Sequence, residues 1–203
     1  MNIQGPLKRS EDTLIWVQQH LDGLYIGEGN KRVHLAAGCL HTAVEHGQAI
    51  VLLVAEGIHG SALALVRLQF EAYVRGIWLL HGATDESVDR AGRDKFPPMR
   101  EMITDLEQPG CVDIGILSRV KAASWELLNS LTHTGYLQIG ARLSAAGIGS
   151  NFEESHVRYA LNWADVLAIH AVVGFAVIAK NETLSRLALE RARTFETSDA
   201  TVV

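Results

Sequence analysis

Residues 61–82 read SALALVRLQFEAYVRGIWLLHG, and their spacing decides the fold class. Leu63, Val66, Phe70, Val74, Ile77 and Trp78 recur at threes and fours, the period of one helical face. Leu65, Leu68 and Leu79 add apolar surface outside that stripe, so the helix is expected to be covered on most sides. Its charges border the stripe rather than lying opposite it. Arg67 and Glu71 are four residues apart and share a face, and Arg75 follows one turn on. Two readings are open: a structural bridge that fixes helix register, or an anion-binding arginine held by Glu71.

Outward from this segment the chain keeps the same period. A first helix is expected from about Glu11 to Leu21, stopping at Asp22-Gly23, and a long one from the N-cap Asn30 to about Glu56. The quoted segment predicts a helix over His59 to His81, closed by Gly82. Thr84 is another good N-cap before the short, polar DESVDRAGRD, and FPPMREMITDLEQPG offers a brief helix entered through Pro97 and Pro98 and closed by Pro109-Gly110. The next helix runs from about Asp113 to Thr132, and the last from Asn151 to about Phe195. SNFE at 150–153 has the capping-box pattern, with Ser150 and Glu153 reaching reciprocally for each other's amides. No alternating, β-branched run of strand length appears. The expectation is an all-α bundle of four to five long helices with short connecting ones, one domain over 1–203, with residues 1–10 and 196–203 flexible.

Composition agrees with a single globular domain: 203 residues, 48% hydrophobic and 20% charged. A formal charge of −5 argues against nucleic-acid binding through bulk electrostatics, which needs clustered Lys and Arg, while leaving local basic sites open. Cys39 and Cys111 have neither CxxC nor metal spacing, and MNIQGPLKRSEDT lacks the apolar core of a signal peptide, so a reducing cytoplasm is expected. ALNWADVLAIHAVVGFAVIAK at 160–180 is long enough to span a bilayer, but Asn162, Asp165 and His170 are costly there; a buried core helix and no membrane contact are expected. His34, His41 and His46 with Glu45 crowd one helix without an HExxH arrangement, so neither metal nor cofactor is expected. AAGIGSNF, residues 145–152, lacks the preceding strand and third glycine of a dinucleotide fingerprint and reads as an inter-helix turn. His170 reads as a hydrogen-bonded core residue.

The second informative stretch is NSLTHTG, residues 129–135. Leu117, Val120, Ser124, Leu127, Leu128 and Leu131 define the core side of its helix, while Arg119, Glu126 and His133 recur every seven on the other side. His133 therefore faces solvent, a partner helix or a cleft, with Asn129 and Trp125 on neighbouring lines one and two turns earlier. His133 has a bland reading as a helix-end cation, with Gly135 supplying the left-handed stop.

The combination of SALALVRLQFEAYVRGIWLL with the later LNSLTHTGYLQ resembles a group of bacterial helical proteins related to the HEPN superfamily, in which an R-x3-FE-like helix precedes one ending in (S/T)-H-(T/G)-G. The resemblance covers these two segments and, beyond them, the order and length of helices. It implies a HEPN-like bundle that forms a homodimer, with a metal-independent, RNA-cleaving or RNA-binding site, in a toxin–antitoxin or phage-defence setting beside a small antitoxin or nucleotidyltransferase partner. One departure matters. The HEPN nuclease motif leaves four to six residues between its Arg and its His, and the positions serving His133 hold Glu126, Leu127 and Leu128. Arg75 and His81 in RGIWLLH fit the spacing, but they fall on different faces of one helix. An arginine serving His133 must come from across the bundle, Arg67 or Arg75. On this reading His133 is the general acid or base, Asn129 positions, and Arg67, held by Glu71, stabilises the phosphate, with Arg75, Trp78 and Trp125 as binding residues. The other reading is a non-catalytic dimeric helical protein in which the same residues hold an interface. Convergence of Arg67, Glu71 and His133 on an open cleft favours the first, and their mutual burial the second.

Overall fold

A computed structural model describes residues 1–108, 116–145 and 147–196. In chain order the elements are α1 (Gln4–Leu21), α2 (Lys31–Ala55), α3 (His59–His81), α4 (Asp85–Ala91), α5 (Met99–Leu106), α6 (Ile116–Thr132), α7 (Tyr136–Gly140), β1 (Leu143–Ser144), β2 (Gly147–Ile148), α8 (Glu154–Ile178) and α9 (Glu182–Glu196). The fold is all-α apart from one two-residue antiparallel ladder that pairs Leu143 with Ile148 and Ser144 with Gly147. That ladder is where the expectation of no strand fails, because two residues per strand are too few to show alternation.

α2, α3 and α8 pack against one another as a central trio, α5 and α6 lie outside α3, and α1 and α9 lie outside α8. The trio closes around Leu40, which is fully buried. A Cβ at Gly174 would sit 2.6 Å from a Leu40 methyl, and one at Gly76 2.8 Å from the same side chain, so both glycines are needed for this approach. The α2–α3 hairpin is latched at its open end by Arg32. Its Nη1 donates to the Leu79 and Ala83 carbonyls at 2.6 and 2.7 Å, acceptors at the C-terminal end of α3 that lack helical partners.

Helix starts follow the caps where a cap bonds. Asn30 Oδ1 accepts from Val33 N at 3.1 Å, and Thr84 Oγ1 from Ser87 N at 3.2 Å. The expected capping box at 150–153 is not formed. α8 begins at Glu154 with no side-chain cap, because Gly149 N donates to Arg142 O and Asn151 N to Ala141 O, which ties the chain to the preceding turn, and Phe152 is drawn into the core. The first helix starts earlier than expected, at Gln4. The single last helix is two: Lys180 takes φ 53 and Asn181 Oδ1 caps the next helix at Leu184 N, so α9 folds back along α8. Pro109-Gly110, Cys111, the expected start at Asp113 and the tail beyond Glu196 lie outside the described residues. α8 is the one helix among those described that is long and apolar enough to cross a membrane, and 61% of its most apolar window is buried inside the protein.

Candidate functional site

α3 and α6 run side by side, and two spacings place four polar side chains at their contact. Arg67 and Glu71 share a face of α3, and Asn129 and His133 a face of α6. Arg67 Nε donates to Glu71 Oε1 at 2.8 Å. Its Nη1 donates to Asn129 Oδ1 and lies 2.7 Å from His133 Nε2. A guanidinium only donates, so Nε2 accepts, which leaves the ring proton of His133 on Nδ1. The Arg67 guanidinium carbon stands 4.6 Å from the centroid of the Trp125 ring, and Lys121 Nζ 5.1 Å from the same centroid. Arg67 and Glu71 have side chains 17% and 19% exposed, whereas His133 is exposed. The cluster is thus a half-buried ion pair with a histidine at its rim. Thr132 Oγ1 donates to Ala64 O at 3.2 Å and fixes the register of the two helices just below it.

Backbone strain sits next to the histidine. α6 ends through Thr134 at φ 56, not through Gly135, which is extended. A β-branched residue in the left-handed region is unusual and costs about 1–2 kcal/mol. Gly135 is required for a different reason from the one expected: its N donates to Ser130 O at 2.7 Å, and a Cβ there would lie 2.8 Å from Ser130 Cα.

Beside the cluster, a groove of about 420 Å³ between α5 and α6 is lined by Arg100, Ile103, Thr104, Ser118, Lys121 and Trp125, among others. Trp125 is shared: its ring carries Arg67, and it also lines the groove. Arg67, Glu71 and His133 themselves do not line this groove.

Two residues expected at the site lie elsewhere. Arg75 is turned toward Phe96, its guanidinium carbon 4.9 Å from that ring and its Nε buried without a partner. Of the two candidate arginines, Arg67 is the one that reaches His133. Trp78 is a core residue, 1% exposed, with Nε1 donating to Asp105 at 2.9 Å. Its burial removes it from any ligand-binding surface. His170 bonds the Val166 carbonyl at 2.7 Å within its own helix. No group of three His, Cys, Asp or Glu able to hold a metal ion occurs among the described residues. The sequence reading passed over Lys121, one turn before Trp125 and so able to reach its ring, and Arg100 across the groove.

The family DUF6988, a family of unknown function, matches residues 40–198 and so spans every element from within α2 to α9. No curated protein and no solved structure matches the chain.

Proposed function

The chain belongs to the DUF6988 family of unknown function, and we propose from its own geometry that it is a HEPN-like, metal-independent endoribonuclease whose site is the Arg67–Asn129–His133 cluster, working as a homodimer. The observation that carries this reading is the contact of Arg67 Nη1 with His133 Nε2 at 2.7 Å at an exposed helix end. It supplies across the bundle the arginine that α6 lacks at 126–128, where Glu126, Leu127 and Leu128 stand. Glu71 and Trp125 hold the guanidinium in place, so its charge is pre-organised for an incoming phosphate oxygen. As the phosphate draws Nη1 away, Nε2 of His133 is freed to accept the 2′-hydroxyl proton. The 2′-oxygen then bonds to phosphorus while the P–O5′ bond breaks, leaving a 2′,3′-cyclic phosphate and a 5′-oxygen that takes a proton from water. Asn129 orients Arg67, and Lys121 adds positive charge beside the site.

The test is cleavage of single-stranded and structured RNAs in excess EDTA. Activity is expected to persist and to fall on the order of a hundredfold or more in His133→Ala with folding intact. RNAs left whole by the wild-type protein would end the nuclease reading. A second reading, a non-catalytic partner protein, is favoured by the engagement of Arg67 by Glu71, Asn129, His133 and Trp125 at once. It predicts no cleavage and no change of host phenotype in His133→Ala.

A further inference from the structure

α1 precedes the residues matched by the family, and polar side chains tie it to the helices beside it. Its fully buried residues are Ser10, Thr13 and Val17, two of them polar. Ser10 Oγ donates to Asp165 Oδ2 at 2.9 Å, and Arg9 Nε reaches the same oxygen at 3.3 Å while its Nη2 donates to Asn162 Oδ1. α9 locks onto α1 as well. Arg191 Nη2 donates to Thr13 Oγ1 at 3.3 Å, its guanidinium lies 5.1 Å from the Trp16 ring, and Arg9 lies 5.1 Å from the Phe195 ring in return. α1 is therefore joined to α8 through one carboxyl group and to α9 through Arg191.

That carboxyl is incompletely served. The Asp165 side chain is wholly buried, and its Oδ1 has no hydrogen-bond partner. The charged groups acting on it are Arg9 on α1 and Arg191 on α9. From α2 and α3 this turn of α8 meets Gly47 and the amide of Gln69, both uncharged. Arg9 is 32% exposed, so water weakens its attraction for the buried oxygen. A desolvated oxygen without a donor favours the neutral acid, and lifting α1 would return water to Asp165 and remove that preference.

We propose that α1 is a proton-gated strap, clamped on α8 while Asp165 carries a proton and loosened as Asp165 ionises. Burial pushes the Asp165 carboxyl up from 3.8 to about 7, against the opposing pull of Ser10, Arg9 and Arg191. The strapped form thus binds the proton more tightly than the loosened form, in which the carboxyl returns toward its ordinary value. Strapping is strongest below the ordinary carboxylate range, weakens up to about tenfold per pH unit as pH rises, and levels off above about 7. Which way the strap moves is fixed by this sign: acid closes it.

Hydrogen exchange on the full chain between about pH 4.5 and 8, corrected for the intrinsic amide rates, tests this directly. Protection of the α1 amides is expected to fall with pH by ten- to a hundredfold and then level, while the amides of α8 stay protected. In Asp165→Asn, which keeps the shape and removes the titration, the α1 profile is expected to be flat. Arg9→Gln gives an independent arm: loss of a cation that favours the carboxylate moves the levelling point to higher pH. A flat α1 profile in the wild type, the same slope in Asp165→Asn, parallel loss at α8, or a levelling point in Arg9→Gln that stays or moves down would each overturn the proposal.

Discussion

At the scale of single residues, Arg67 is tied to the fold by four contacts and its removal strands Glu71. The pair is half-buried, so the cost of Arg67→Ala is set by the carboxylate left beside the core more than by the bond lost. A loss of about 2 kcal/mol or more is expected from denaturant midpoints, with Glu71→Ala costing less, and the double substitution costing less than the two single losses added together. Strict additivity of the two would mean that the ion pair does not organise α3. Arg67→Lys should recover little, because an ammonium cannot serve Glu71, Asn129 and His133 in one plane. The site was partly legible in the sequence. Spacings of four within each helix put Arg67 with Glu71 and Asn129 with His133, and the absence of an arginine at 126–128 pointed across the bundle to Arg67 or Arg75. The Asp165 network was not legible as a network, since Arg9 and Arg191 lie 156 and 26 residues away from it. Its one visible sign was a charge in an apolar run, which marks a buried partner as readily as it excludes a bilayer.

At the scale of elements, caps separate real helix starts from apparent ones. Asn30 accepts from Val33 N, so Asn30→Ala should cost about 1 kcal/mol. Ser150 has the better sequence signature, yet α8 starts four residues later, and Ser150→Ala should leave thermal stability unchanged to within about half a kcal/mol. A loss at Ser150 equal to that at Asn30 would show a capping box in solution. The same contrast explains which boundaries the sequence conveys. α2 and α3 begin and end where polar caps, Gly57 and Gly82 interrupt the apolar period. Between α8 and α9 the period runs on through NETLSRLALERAR, because both helices bury a stripe on the same core, and only the short signal of Asn181 with acidic Glu182 marks the reversal. The β1–β2 ladder was invisible for the simpler reason of its length.

At the scale of the whole molecule, the exposed apolar groups are not evenly spread. Tyr136 is 85% exposed, Ile139 52%, Leu143 65% and Ile148 88%, all within thirteen residues of chain. Leu143 and Ile148 are cross-strand partners and so project on one side of the ladder. Beneath α7 a cleft of about 270 Å³ is lined by Leu127, Leu131 and Phe152. Knob and hollow thus lie side by side, the arrangement that a twofold axis can use twice, each copy filling the other. Leu137, 42% exposed, adds to them, so five large apolar side chains in this stretch stand open to a partner surface. α7 starts three residues after His133, so a second copy seated here would bring the two candidate sites to one side of the assembly. Light scattering at micromolar concentration is expected to give twice the chain mass. Leu143→Glu with Ile148→Glu should return it to the chain mass with an unchanged helical circular dichroism spectrum, since neither side chain belongs to the core. A wild-type protein that scatters as a monomer throughout that range removes the homodimer from the proposed function, and a dimer indifferent to both substitutions moves its interface off this face.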